Sequence, residues 1–147
     1  MGDLKIYQAK INDLEKVLSL SSLLFKKNIV ELRLEFENIL KNSKYAVFLL
    51  ELNNLCVGFA YVCVRNDYVE GTFSSPVGYL EGIYMQKNYR KKSYAKKLLA
   101  YCENWILNQG IDEIASDCEL NNIQSFNFHL HCGFKEVSKI ICFTKKL

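Results

Sequence analysis

The sequence predicts a mixed α/β fold, a mixed sheet with helices on both faces, and three observations predict it. Two β-rich runs, YAVFLLEL and CVGFAYVCV, flank Asn53-Asn54 and read as a hairpin. VGYLEGIYM at 77–85 and IDEIASD at 111–117 are strand-like and are joined by a helical period, so they are expected to run parallel in a right-handed crossover. The whole chain alternates between period 2 and helical spacing in the order β-α-α-β-β-β-α-β-α-β-β, which layers helices on either side of one sheet.

Taken in order, LKIYQA at 4–9 alternates as a short strand, and Leu14, Val17, Leu18 and Ser21 open a helical period. A second helix is expected across Ile29–Leu40, where Ile29, Leu32, Phe36, Ile39 and Leu40 recur at helical spacing. Asn53-Asn54 suits a tight turn because asparagine tolerates the left-handed conformation that such a turn demands. RNDYVEGTFSSP at 65–76 is a polar loop carrying aromatics and acids, and it ends at Pro76, the only proline. In the next strand Gly78 and Gly82 point to a bulge or a close backbone approach. Ala95, Leu98, Leu99, Cys102 and Ile106 keep one apolar face of a long helix that stops at Gly110. Asn121 or Asn122 caps a last helix carrying Ile123, Phe126 and Leu130 up to Gly133. FKEV at 134–137 and KIICFTKKL at 139–147 are expected to finish the chain as strands.

With 147 residues and 50% hydrophobic content, a single domain over 1–147 is expected. The longest apolar runs, such as AVFLL at 46–50, fall far short of the roughly 18 residues a membrane helix needs. The N-terminus scatters charges where a signal peptide is apolar, and Ile6 stands where a myristoylation signal wants Ser or Thr. The expectation is a soluble cytoplasmic protein with no membrane partner. Cysteines at 56, 63, 102, 118, 132 and 142 form no C-x-x-C pair and are accompanied by only two histidines, so no metal site is expected and the thiols read as reduced core residues.

The net charge is +3, but its distribution is uneven. Six bases and no acid lie between Lys87 and Lys97, which leaves 13 bases against 16 acids elsewhere. Such an island suits a compact polyanion better than a nucleic-acid track, so no nucleic-acid partner is expected. YRKKSYA at 89–95 lies where a strand ends and a helix starts, where free N–H groups and the positive end of the helix dipole make a phosphate site. The bland alternative is a solvated lysine face. Neither G-x-x-x-x-G-K-[ST] nor G-x-G-x-x-G is present, which removes most support from kinase, GTPase and dehydrogenase readings.

The ordered set of strand, R-x-x-G-x-G/A-type loop, long helix, strand and Asn-capped helix ending in G-F resembles the GNAT acyl-CoA acetyltransferases. Here the loop reads Arg90-Lys91-Lys92-Ser93-Tyr94-Ala95 and the later helix NIQSFNFHLHCGF, Asn122 to Phe134. DYVEGT, SSPVGYLEGIYM, YRKKSYA, ASD and KIICFTKKL are similar, more narrowly, to the aminoglycoside 6'-N-acetyltransferases of that superfamily. The likeness is good over 65–147 and holds in outline before that. It implies the GNAT fold, a predominantly antiparallel central sheet with one parallel, splayed strand pair. In three places the chain departs from the pattern: Ser93 replaces the usual loop glycine, His129 stands where many members have tyrosine, and Phe25 where tryptophan is expected.

What the resemblance implies is direct transfer of acetyl from acetyl-CoA to a primary amine of a polycationic aminoglycoside. The diphosphate of CoA would rest on Arg90, Lys91, Lys92, Ser93, Tyr94, Ala95 and Lys96, with the pantetheine arm along Ile83, Tyr84 and Met85 and near Asn122. The Ile83 N–H would hold the thioester oxygen as it becomes an oxyanion. Glu81 would accept the amine proton, Asp117 would orient the cationic substrate, and His129 would protonate the departing thiolate. Phe25, Asp67, Tyr68, Glu70 and Glu119 would line the acceptor pocket with Glu81 and Asp117. Each has an ordinary reading beside this one: a strand glutamate paired with lysine, a turn aspartate, a solvated loop, a packed histidine. His131 carries no motif support, and Trp105 and Phe126 read as packing residues. A homodimer is expected, with the C-terminal strand either pairing across subunits or internal. Competing functions are a GNAT enzyme for another small amine, a polyamine or a protein terminus, and a non-catalytic CoA-binding module of the same fold.

Overall fold

In the structure, a computed structural model describing residues 2–147, the strands form one sheet in the order β1-β2-β3-β4-β5. These are β1 (Leu4–Gln8), β2 (Tyr45–Leu52), β3 (Leu55–Arg65), β4 (Val77–Met85) and β5 (Ile114–Ser116). Neighbours are antiparallel except β4 and β5, which run parallel as the intervening helix requires. The helices are α1 (Leu14–Leu24), α2 (Ile29–Lys41), α3 (Tyr94–Asn108) and α4 (Ile123–His131).

Strand alternation sends apolar side chains to both faces. On one, Phe48, Leu50 and Leu80 meet Leu98, Leu99, Cys102 and Ile106 of α3. On the other, Val47, Leu49, Phe59 and Tyr61 meet Val17, Leu18 and Leu20 of α1 and Leu32 and Phe36 of α2. Each such fully buried large side chain contributes on the order of 1.5–3 kcal/mol. Phe36 locks this second face with an edge-to-face contact to Tyr61, ring centroids 5.2 Å apart.

The turn chemistry read from the sequence is present. Asn53 and Asn54 have φ of 51° and 67° and join β2 to β3 as a two-residue hairpin. Asn122 caps α4 by accepting from the Ser125 N–H at 3.1 Å. Gly110, with φ of 79°, follows the end of α3. At Gly78 a Cβ would lie 2.5 Å from Ile106 Cδ1, so α3 packs directly on β4 backbone there.

Three expectations are corrected. Segments 134–137 and 139–147 are not strands: the chain leaves α4 at Gly133 and forms no ladder, with Ile141 80% and Phe143 87% exposed. A strand needs a neighbour for its backbone groups, and the described residues give these segments none. The strand expected at 111–117 shrinks to Ile114–Ser116 because its ladder with β4 ends at Leu80–Ser116. Of the cysteines, only Cys63 and Cys102 are buried, while Cys118 and Cys142 are exposed. Among the described residues no helix is long and apolar enough to cross a membrane, and no group of His, Cys, Asp or Glu could hold a metal ion.

Candidate active site

The site begins with an extra residue. Tyr61 pairs with Gly82 and Val62 with Leu80, so Glu81 is the bulged residue of β4. A bulge re-aims a side chain, and here it brings Glu81 to the helix α2 side of the sheet, beyond the cover of the helices. Glu81 lines two adjoining cavities that share Tyr45: about 280 Å³ beside Glu35 and Asn38 of α2 and Asn42 just after it, and about 460 Å³ beside Arg65, Asp67 and Tyr68. Each wall carries two acids and two tyrosines, a setting that suits a polycation.

Arg65 pairs with Glu81 through Nε at 3.0 Å and through Nη2, both to Oε1, and the Cys63 thiol reaches the same oxygen at 3.5 Å. Burial opposes the arginine's charge, but the bonds to Glu81 outweigh it and hold the guanidinium above its usual pKa. Burial also pushes the Cys63 thiol up to about 11, so it stays neutral beside the carboxylate. Asp117 lies just past β5, where its Oδ2 accepts the Tyr79 hydroxyl. Burial first, then that hydrogen bond, raises Tyr79 and keeps its proton in place as the donor. One chain of contacts, Glu81–Arg65–Tyr79–Asp117, thus joins the two acids singled out from the sequence.

Of the other acceptor candidates, Asp67 and Tyr68 line the larger cavity. Glu70 reaches it through the Tyr68 hydroxyl at 3.4 Å, and Glu119 is exposed with no side-chain partner among the described residues. Phe25, just after α1, stacks edge-on against Tyr61 at 6.1 Å and stands beside Gly82, one residue from Glu81. The loop itself is pinned by Glu113, which accepts from the N–H groups of Phe73 and Ser74 at 3.0 Å each.

On the opposite edge of β4 the backbone is open. Gln86 donates to Val57 at 2.8 Å, so alternate residues Gly82 and Tyr84 also bond to β3, and the N–H groups of Ile83 and Met85 face away from it. β5 has already ended on that side, so nothing pairs with them from the sheet. This unpaired edge runs towards the start of α3. Lys91 and Ser93 adopt left-handed φ of 63° and 65°, a turn that gathers successive N–H groups into an anion-binding concavity. Ser93 is the N-cap of α3 but makes no side-chain cap, which leaves the N–H groups of Tyr94, Ala95 and Lys96 free of one. A non-glycine residue therefore does take the left-handed geometry that the usual loop glycine supplies. Lys91, Lys92, Lys96 and Lys97 are exposed, and none forms a salt bridge among the described residues. Arg90 is different: its Nε donates to Met85 O at 2.8 Å and Nη1 reaches Gln124 at 3.3 Å, so it braces the loop against β4 and α4.

His129 is held at both nitrogens. Nδ1 faces Ser125 O at 2.7 Å, and since a carbonyl only accepts, Nδ1 carries a proton. Nε2 lies 2.8 Å from Ser116 Oγ, which in turn lies 3.2 Å from Leu80 O, the last ladder position before the two strands part. The ring packs edge-on against Phe134 at 5.1 Å. Its direct contacts are thus structural, though they end at the opening between β4 and β5.

Sequence reading missed Arg65, Tyr79, Tyr45, Glu35, Asn38 and Asn42. Part of the signal was available: period-2 alternation puts Arg65 on the face of Cys63, and the observed register, which pairs Cys63 with Tyr79, adds Tyr79 to that face. Glu35 and Asn38 of α2 and Asn42 after it carry no such mark, because only the packing angle of α2 brings them to Glu81.

Residues 14–134 match the family described as Acetyltransferase (GNAT) family. The aminoglycoside N(6')-acetyltransferase type 1 of Serratia marcescens is 37% identical over 116 residues, 78% of this chain and 80% of that protein. The solved structure of the aminoglycoside N-acetyltransferase AAC(6')-Iy in complex with CoA has a TM-score of 0.96 at 32% identity, covering 100% of this chain and 97% of that one. The same enzyme in complex with the bisubstrate analogue CoA-S-monomethyl-acetylneamine has a TM-score of 0.93 at 33% identity, covering 99% of both chains. A match across most of the chain and a shared fold at this level of identity lead to one conclusion: the chain belongs to the acetyltransferase (GNAT) family, in the branch of the aminoglycoside N(6')-acetyltransferases.

Proposed function

We infer that this protein is a cytoplasmic aminoglycoside 6'-N-acetyltransferase, transferring acetyl from acetyl-CoA directly to a primary amine of a polycationic antibiotic. The observation that carries it is Glu81, a bulged carboxylate on the wall of two cavities rich in acids, one residue from the open edge of β4. The α3 start and that edge fit acetyl-CoA: free N–H groups and unpaired lysines suit a diphosphate, and an unpaired strand edge suits an extended pantetheine amide chain. Acetyl-CoA supplies the activated acetyl group.

The chain's own residues do the rest. Arg90, Lys91, Lys92, Ser93, Tyr94, Ala95 and Lys96 form the diphosphate loop, and Ile83, Tyr84, Met85 and Asn122 line the pantetheine path. The N–H of Ile83, directed away from β3, is assigned to the thioester oxygen, where a fixed dipole stabilises developing charge. An aliphatic amine is mostly protonated near neutral pH and attacks only after losing a proton, which Glu81 accepts directly or through water. Asp117, Asp67 and Tyr68 hold the remaining ammonium groups and a sugar face, with Phe25, Glu70 and Glu119 at the margin. His129, which the resemblance gives to the leaving thiolate, could protonate it only as the doubly protonated ring with Nε2 turned from Ser116, so its role here is first to order that corner.

The protein works as a homodimer. β5 ends the sheet with an unpaired outer edge, and the segment after Gly133 exposes Val137, Ile140, Ile141, Phe143 and Leu147. An open edge and an unpaired apolar segment are complementary, and exchange of such a segment between two copies satisfies both.

The test of the activity is release of free thiol from acetyl-CoA with kanamycin or tobramycin, against an aminoglycoside whose 6' position carries hydroxyl. Release with the amine alone is expected. Release with spermine or peptides but no aminoglycoside would make it an enzyme for other amines, and binding of CoA with no release would make it a binding module.

A further inference from the structure

The guanidinium of Arg65 lies in a setting made for a cation. Its carbon is 3.4 Å from the centroid of the Tyr79 ring, a close cation–π contact. Nε and Nη2 both reach Glu81 Oε1, and every hydrogen bond that the Glu81 carboxylate receives from the described residues falls on that oxygen. The Tyr79 hydroxyl donates to Asp117, so Arg65 sits between two carboxylates given above to the acceptor. The side chain is nevertheless 40% exposed, on the wall of the cavity that Asp67 and Tyr68 share.

We propose that Arg65 is a built-in rival of the acceptor and sets its specificity. With no amine present it neutralises Glu81, and an incoming ammonium gains the carboxylate only by sharing or displacing the guanidinium. A carboxylate already carrying an arginine attracts one further positive charge weakly, since the two cations repel at contact distance. A monoamine has nothing else to hold it. An acceptor with several ammonium groups is anchored at Asp67 and Asp117 as well, and these contacts offset the repulsion by Arg65, whether the guanidinium shares Glu81 or leaves it. The inference rests on the aminoglycoside reading and deepens it, because it explains why a polycation is the preferred class. An arginine that merely ties β3 to β4 would affect all acceptors alike.

The experiment compares wild type, Arg65→Gln and Arg65→Ala on kanamycin and on a monoamino sugar with a single 6-amino group, at saturating acetyl-CoA. The ratio of kcat/KM for kanamycin to that for the monoamine is expected to fall by about tenfold in Arg65→Gln, chiefly through KM for the monoamine. Added methylguanidinium is expected to compete with the acceptor in Arg65→Ala, raising KM at constant kcat, and to leave wild type unaffected. An unchanged ratio, or methylguanidinium that raises kcat of Arg65→Ala, overturns the proposal and leaves Arg65 a positioning residue for Glu81. If the neutral variants do not fold, Arg65→Lys serves: a mobile point charge without the planar fork yields more easily, so the ratio is expected to fall about threefold, and an unchanged ratio overturns the proposal. A wild type that acetylates no aminoglycoside refutes the function reading instead, whereas one that does, with the ratio unchanged in the variants, refutes only the role of Arg65.

Discussion

Replacing Glu81 by glutamine lowers the rate of acetyl transfer to kanamycin by about 10²-fold or more, the span that a positioned general base contributes. Glutamine keeps the size and the hydrogen-bond reach of the side chain and removes its ability to take a proton. The bulge at Tyr61/Val62 depends on the backbone, so the fold and the affinity for CoA stay as they are. The loss therefore appears in kcat more than in KM for acetyl-CoA. Asp117→Asn behaves differently, because its carboxylate holds a charge and accepts the Tyr79 hydroxyl without moving a proton. Its loss of at least about tenfold in kcat/KM falls mainly on KM for the acceptor. Steady-state kinetics on the two purified variants separate these patterns, and near-normal rates in both would remove the pair from the mechanism.

The second large effect concerns assembly. Introducing aspartate at both Ile141 and Phe143 is expected to convert the proposed homodimer to a monomer at micromolar concentration, as read by sedimentation velocity. Both side chains are more than three-quarters exposed in the single chain, so the change costs an isolated subunit little. In an exchanged pair they are covered, and burying two carboxylates there is prohibitive. A variant that sediments like the wild-type protein would show that the segment after Gly133 does not join two copies.

Much of this architecture was legible in the sequence where local chemistry decides it. Asn53-Asn54 needed only the left-handed tolerance of asparagine, and α3 only one apolar stripe ended by Gly110. Glu81 and Asp117 came from the family resemblance, and the structure adds their link through Arg65 and Tyr79. The C-terminal strands failed for a physical reason. KIICFTKKL has strand composition, but a strand exists only when a neighbour takes its N–H and C=O groups, and composition does not say which chain supplies that neighbour. Glu35, Asn38 and Asn42 were invisible because their place in the site depends on how α2 crosses the sheet, which Phe36 and Leu32 fix through packing at Phe59 and Tyr61. Ser93 departs from the family's loop glycine, yet at φ of 65° it adopts the left-handed conformation that a glycine would find without strain.

A crystal structure of the protein with CoA tests the central claim, that the turn into α3 and the free edge of β4 together form the cofactor cradle. The account predicts diphosphate oxygens within hydrogen-bonding distance of backbone N–H groups between Lys91 and Lys96, with the pantetheine paired to the outward N–H groups of Ile83 and Met85. A diphosphate held only by lysine side chains, or a pantetheine that leaves that edge of β4 untouched, would contradict it.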